Sequence, residues 1–363
     1  MVRCPCKTGP AAGMLASMTE QRGEFDGGPQ PRFEGEPASV PAHGEPSEWF
    51  ESKTPLPLAD ERLAKAMHRE LSAAEFTARR RQRRVFLPVF LFLATCVSTF
   101  IAGALNWDPG TYIASDLAGR QIAAGWQQGL IYAAAVIGIL LTHEMGHFLQ
   151  TLRYRVPSSL PFFIPVPFLL TGTMGAVIGM EGSRADRKQL FDIGISGPWA
   201  GLLVALPITW FGILQADVMK QSGPIVLGDP LIFKLMTHYL RPDIAADAIL
   251  NKNNPLLMAG WVGMLITGLN MMPISQLDGG HVIYGLFGRR AIWVARAFLI
   301  AAILFIVVGE HYNWTVMLVL VIMLGVDHPP TRDDSVKLGW GRWAFGFVSL
   351  AIPVLCFTPI LIS

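Results

Sequence analysis

From residue 85 onward the chain alternates long apolar blocks with short runs rich in Arg, Gly and Pro. The blocks fall at about 85–105, 127–150, 190–214, 256–274, 291–309, 313–326 and 343–362. A helix needs about 20 apolar residues to cross a bilayer, so these blocks predict transmembrane helices. The sixth is short, and the fourth runs on into a Gly-rich, partly polar stretch. Between the second and third lies "LPFFIPVPFLLTGTMGAVIGM", apolar but carrying three prolines and scattered glycines. Proline removes a helix donor and clashes with the preceding turn, so this stretch predicts a re-entrant hairpin shielded by protein. The expected fold is an all-α polytopic membrane protein with about six to seven transmembrane helices and that hairpin.

Residues 1–80 show no sustained apolar period and are rich in Pro, Gly and acidic residues. Such a segment buries too little surface to offset chain entropy, which predicts a disordered tail. Its end, "LADERLAKAMHRELSAAEFTARR", has helical spacing and predicts a surface helix. No apolar h-region marks a signal peptide, and the acidic content argues against a transit peptide. Residues 81–330 then form the core, and 331–363 a juxtamembrane segment with a final helix.

Basic residues orient the spans. Arg79, Arg80, Arg81, Arg83 and Arg84 precede the first block and place the tail in the cytoplasm. Alternation then puts Arg153 and Arg155, Arg184, Arg187 and Lys188, Arg289 and Arg290, and Lys337 and Arg342 on the same side. The stretch around 215–255 faces outward and is too short for a large inserted domain.

Composition strengthens this picture. The chain is 52% hydrophobic and 15% charged, with a mean hydropathy of +0.40, against about 25% charged residues in soluble domains. The net charge of +2 is spread beside the apolar blocks, which excludes a nucleic-acid groove. Cys96 and Cys356 lie in apolar blocks, and Cys4 and Cys6 are isolated in the tail, so no disulfide framework is implied. Nothing in the chain sets an oligomeric state.

Against that apolar background stands "ILLTHEMGHFLQ", residues 139–150. His143 and His147 are four apart, one turn along one helix face, so both imidazoles can reach a single ion. H-E-x-x-H on a helix supplies two zinc ligands and a glutamate base. Glu144 is expected to be that base. Titratable groups are costly within a membrane span, which makes function their default reading.

A catalytic zinc site usually has three protein ligands and one open position. The foremost candidate for the third is Asp278 in "NMMPISQLDGGHVI", residues 270–283, at a depth comparable to His147. Pro273 ends the preceding helix, while Gly279 and Gly280 allow a close backbone path beside the carboxylate. His281 is the rival ligand or a supporting group, and Asp278 could also serve as a helix N-cap.

Together, "HEMGH" at 143–147 and "NMMPISQLDGG" at 270–280 resemble the site-2 proteases, zinc metalloproteases that cut within the membrane. The second motif fits that family's N-x-x-P-x-x-x-L-D-G pattern, and the likeness is to members without an inserted PDZ domain. It covers roughly residues 85–330 and implies one Zn²⁺ per chain, held by His143, His147 and Asp278, with Glu144 activating water. "TGTMGAVIGM" resembles the family's substrate-clamping hairpin, with Thr173, Gly175 and Ala176 as candidate contacts, and "DHPPT" at 327–331 resembles a juxtamembrane motif. "GISGPWAGLLV" resembles the G-P-x-x-N helix, but Gly201 stands where many members have Asn. The oxyanion-stabilising amide is therefore sought in Asn270 or a backbone N–H, with His281 in a supporting position.

The implied activity is cleavage of single-span membrane proteins by a multi-pass protein of a bacterial cell (inner) membrane, with its N-terminus in the cytoplasm. The lipid bilayer is the implied surroundings and no nucleic acid is involved. The alternative from another class is a metal transporter using the same cluster. It requires a path of further His or carboxylate residues, and only Asp192 lies deep in another regular span.

Overall fold

The computed structural model describes residues 85–107, 115–218, 227–244, 250, 253–274 and 276–358. The chain divides into two units, Met1–Ala66 and Met67–Ser363, and every described residue belongs to the second. The tail and surface helix expected within 1–80, and the arginines from 79 to 84, lie outside the described residues.

Each apolar block carries helix within the described residues. In chain order these are α1 (Val85–Ala104), α2 (Ser115–Tyr154), α3 (Arg187–Gln215), α4 (Leu231–Leu240), α5 (Pro255–Asn270), α6 (Asp278–Phe287), α7 (Ala291–Val308), α8 (Thr315–Leu324), α9 (Trp340–Ser349) and α10 (Ile352–Cys356). Among the described residues four segments are long and apolar enough to cross a membrane: Val85–Ala104, Ala118–Tyr154, Arg187–Gln215 and the continuous Asp278–Val308, which joins α6 to α7. Three shorter apolar helices are Pro255–Asn270, Tyr312–Met323 and Trp340–Cys356. The protein is an integral membrane protein, and mostly helical.

The shorter helices have local causes. The α5 block stops just before Pro273, and the last block is broken between α9 and α10, where Pro353 sits in the first turn of α10. Proline fits a helix's first turn but not its interior. α5 packs against α2, α3 and α10, with Leu257, Met258, Trp261, Val262 and Met264 fully buried. An apolar helix covered on most sides belongs to a core.

The all-α expectation is corrected at the proline-rich stretch. There β1 (Phe162–Pro165) and β2 (Thr173–Val177) form a two-stranded antiparallel sheet, with Phe162 opposite Val177 and Phe163 opposite Ala176. Prolines that forbid a helix do not forbid a short strand at its end. Gly172 and Gly175 take the left-handed φ values of 73° and 105° that the turn and the irregular register need. The hairpin is fastened to its neighbours: the Ser98 hydroxyl donates to the Gly172 carbonyl at 2.5 Å, and Tyr132 donates to the Thr171 carbonyl at 2.8 Å.

Arg187 and Arg289 meet one short stretch of the chain. The Arg187 backbone N–H donates to the Asp333 carbonyl at 3.2 Å, and Arg289 pairs with Asp334 at 3.5 Å. Arg342 from α9 donates to both carboxylate oxygens of Asp192 on α3, at 2.7 and 3.0 Å, while Tyr154 at the end of α2 donates to the same carboxylate at 2.5 Å. Asp192 is therefore a structural tie among three helices.

Removing the partner of a largely buried carboxylate such as Asp192 strands its charge. Arg342→Met is expected to destabilise the protein by about 1–2 kcal/mol, read as a lower thermal midpoint, and adding Asp192→Asn is expected to recover most of that loss.

Candidate metal centre

α2 carries His143, Glu144 and His147 on one turn of its last third, and all three are buried, with 2%, 3% and 7% exposure. Such groups persist in an apolar interior only when other groups satisfy them. Asp278 supplies the main answer. One of its carboxylate oxygens lies 3.1 Å from Nε2 of His143 and 3.3 Å from Nε2 of His147. One ligand atom from each of the three residues lies within 4.8 Å of the other two, and among the described residues this is the cluster able to hold a metal ion.

Asp278 reaches the histidines because of how α6 starts. Leu277 is the N-cap and Asp278 the first helical residue, so its side chain is free of the capping role and its charge sits at the positive end of the helix. Gly279 makes this possible, since a Cβ there would run into the carbonyls of Met271 and Met272.

The tautomer of His147 is set from behind. Its Nδ1–H donates to the Ile193 carbonyl on α3 at 2.7 Å, which leaves Nε2 of the neutral ring with a lone pair facing a carboxylate oxygen. Two acceptors held at 3.3 Å call for a cation between them. Two imidazole nitrogens and a carboxylate oxygen also match the ligand preferences of Zn²⁺, and an outer hydrogen bond orienting a histidine is the usual support of such a ligand. The residues therefore fit the metal.

α3 presents a glycine face to these side chains. Gly194, Gly197 and Gly201 follow i, i+3, i+7 spacing on one stripe. A Cβ on Gly197 would overlap the His147 ring, one on Gly201 would come within 3.0 Å of Nδ1 of His143, and one on Gly194 within 2.6 Å of the Cβ of His281. Gly146 on α2 answers from the other side, where a Cβ would meet the Ser196 carbonyl at 2.6 Å. Small residues that let helix backbones approach are how membrane helices pack without a hydrophobic drive. The departure at Gly201 thus has a packing reason: His143 fills the space a larger side chain would need.

A cavity of about 180 Å³ opens beside the cluster. Glu144, His147, Ala176, Asn270, Asp278 and His281 are among its lining residues, with Val177, Ile178, His328 and Pro329 further along. Nδ2 of Asn270 lies 3.5 Å from Nε2 of His143. Of the candidate hairpin residues, Ala176 faces this cavity, Gly175 lies against Ile266, and Thr173 is turned inward with its hydroxyl donating to the Ile164 carbonyl at 3.0 Å.

His281 is outside the ligand cluster. Its Nδ1 lies 2.8 Å from Nε2 of His328, a residue not singled out individually from sequence. Burial lowers the pKa of His328 from the ordinary imidazole value, outweighing the opposite effects of its bond to Pro329 and of Asp334. The "DHPPT" match was the available signal for His328, but its partner is 47 positions away in sequence.

The profile described as "Peptidase family M50" matches residues 131–309, which include His143, Glu144, His147 and Asp278. "Probable zinc metalloprotease EGY1, chloroplastic" of Arabidopsis thaliana is 30% identical over 242 residues, covering 63% of this chain and 42% of that protein. Its namesake in Oryza sativa subsp. japonica is 31% identical over 246 residues, covering 64% and 41%. "Probable zinc metalloprotease EGY2, chloroplastic" of Arabidopsis thaliana is 29% identical over 168 residues, covering 45% and 29%. The chain thus spans about two fifths of the length of the EGY1 relatives it matches. No solved structure matches it.

The glycine face gives a specific expectation. Gly197→Ala forces the His147 ring out of place and is expected to remove most bound metal from the purified protein, whereas Gly138→Ala on α2, where a Cβ meets nothing within 4 Å, is expected to leave metal content unchanged by elemental analysis.

Proposed function

This chain belongs to Peptidase family M50, the site-2 protease family, and we propose that it is a zinc-dependent metalloendopeptidase that cuts single-span or membrane-associated proteins within the bilayer. The observation that carries the reading is the buried convergence of His143, His147 and Asp278 with Glu144 on the wall of the same cavity. In this reading those three residues hold one Zn²⁺ per chain. Zinc when bound supplies Lewis acidity and lowers the pKa of water toward ~7.

The chain's own residues do the rest. Glu144 takes a proton from the attacking water and returns it to the leaving amine. Asn270, beside His143 at the cavity, offers its amide N–H to the carbonyl oxygen as negative charge develops there, the part that Gly201 cannot play. A helical substrate hides its carbonyls in its own hydrogen bonds, so it must be extended before attack. Among the described residues β2 pairs with β1 on one edge and with no other strand, and Ala176 and Val177 lie at the cavity. An extended segment adding to its open edge fits that arrangement, with the hairpin dipping into the membrane as a re-entrant element.

We place the three shorter apolar helices in the bilayer as well, which gives seven apolar elements. The cluster of Arg187, Arg289 and Arg342 then lies on the cytoplasmic side by the excess of basic residues. The chloroplast location named for the plant relatives belongs to them, and it lends no support to a bacterial inner membrane. The transporter reading is not favoured: it needs a path of further His or carboxylate residues, and the one carboxylate deep in another regular span, Asp192, is held by Arg342 and Tyr154.

Glu144→Gln keeps the shape of the side chain and removes the base. It is expected to retain wild-type zinc while cleavage of a reconstituted single-span substrate falls by about 10²–10⁴-fold. Cleavage persisting in that variant at wild-type zinc content would sink the assignment.

A further inference from the structure

Between α8 and α9 residues 327–335 form a strap tied down at several points, and His328 and Pro329 line the cavity. The Arg332 N–H donates to the Ala185 carbonyl at 2.9 Å, Tyr284 of α6 donates to Asp334 at 2.9 Å, and Thr331 donates to the same carboxylate at 2.6 Å. The strap lies beyond the family-matched residues 131–309. It sets His328 on the face of the Tyr284 ring, centroids 4.4 Å apart and 27° between planes, and brings it to His281.

The hydrogen bonds of these two rings fix each other. Nδ1 of His328 lies 2.6 Å from the Pro329 carbonyl, which can only accept, so the proton of the neutral ring is on Nδ1. Nε2 of His328 is then an acceptor, and Nδ1 of His281, 2.8 Å away, must be the donor. That leaves Nε2 of His281 unprotonated. Among the described residues it has no hydrogen-bond partner, and His281 lines the cavity that holds Glu144 and Asp278. Gly194, pressed against the Cβ of His281, fixes where the ring starts.

A strand added to β2 bonds to it through alternate residues, and the residues between direct their N–H groups away from the sheet. In a cavity walled on the β2 side by Ala176, Val177 and Ile178, those outward N–H groups need an acceptor elsewhere. We propose that His281 is a substrate-binding residue whose Nε2 accepts a backbone N–H of the bound peptide, and that His328 is the positioning residue that holds it in that tautomer. The proposal rests on the protease reading given above and adds a contact to it.

The test uses the full-length protein in proteoliposomes with a single-span substrate, comparing wild type, His281→Phe, His328→Phe and His328→Gln. His328→Phe keeps a ring on Tyr284 but no acceptor, while His328→Gln offers an amide oxygen near the position of Nε2. Both Phe variants are expected to raise KM about tenfold, the scale of one lost hydrogen bond, with kcat and zinc content close to wild type. His328→Gln is expected to stay within about threefold of wild type. Imidazole ¹⁵N NMR is expected to show His281 protonated at Nδ1 in the wild type and a tautomer mixture in His328→Phe.

An unchanged KM in His281→Phe, loss of zinc in that variant, or His328→Gln as impaired as His328→Phe would each overturn the proposal. If the zinc-loaded wild type cleaves none of the substrate, the protease reading itself fails. The NMR result then decides the imidazole pair by itself, and an Nε2–H tautomer in the wild type overturns it.

Discussion

Everything around the centre of this protein follows from one arrangement: an Asp278 carboxylate oxygen facing the Nε2 atoms of two buried imidazoles at 3.1 and 3.3 Å. In an apolar interior such groups are costly unless each is matched. The matching is built in layers. Ile193 turns His147, the start of α6 aims Asp278, and the glycine stripe of α3 makes room for the rings. Beyond these, Asp192, one residue before Ile193, is gripped by Arg342 and Tyr154, so the last helices of the chain help hold the surface on which His147 rests.

That layering explains why a site formed by residues 135 positions apart can be rigid in a membrane. Lipid offers no hydrophobic drive to press helices together, so close packing must come from shape and from polar ties. α2 and α3 use shape, through Gly146, Gly197 and Gly201. The strap from 327 to 335 and the Arg342–Asp192 pair use polar ties at the end where the basic residues gather.

Much of this was legible in the sequence because it is local or periodic. The apolar blocks mark the helices, and the four-residue spacing of His143 and His147 places two imidazoles on one face. Pro273 with Gly279 marks an unusual start to α6, and the structure brings Asp278 to both histidines. What was not legible depends on distant partners. The prolines of 161–167 excluded a helix, but only the register with 173–177 turns that stretch into strands. Gly201 read as a missing amide until His143 was seen to occupy its space. His281 read as a rival ligand because nothing local says that its Nδ1 meets His328. The role of Asp192 as a tie between helices was hidden as well, because its partner Arg342 lies 150 positions away.

The central claim is that the convergence of His143, His147 and Asp278 is a metal-binding site made of two nitrogens and one oxygen. Zinc-edge X-ray absorption of the purified full-length protein reads that ligand set without any substrate. The account expects a low-coordinate zinc with two imidazole ligands and light scatterers at about 2.0–2.2 Å. A sulfur ligand at about 2.3 Å, a single imidazole, or a spectrum of zinc surrounded only by water would contradict it.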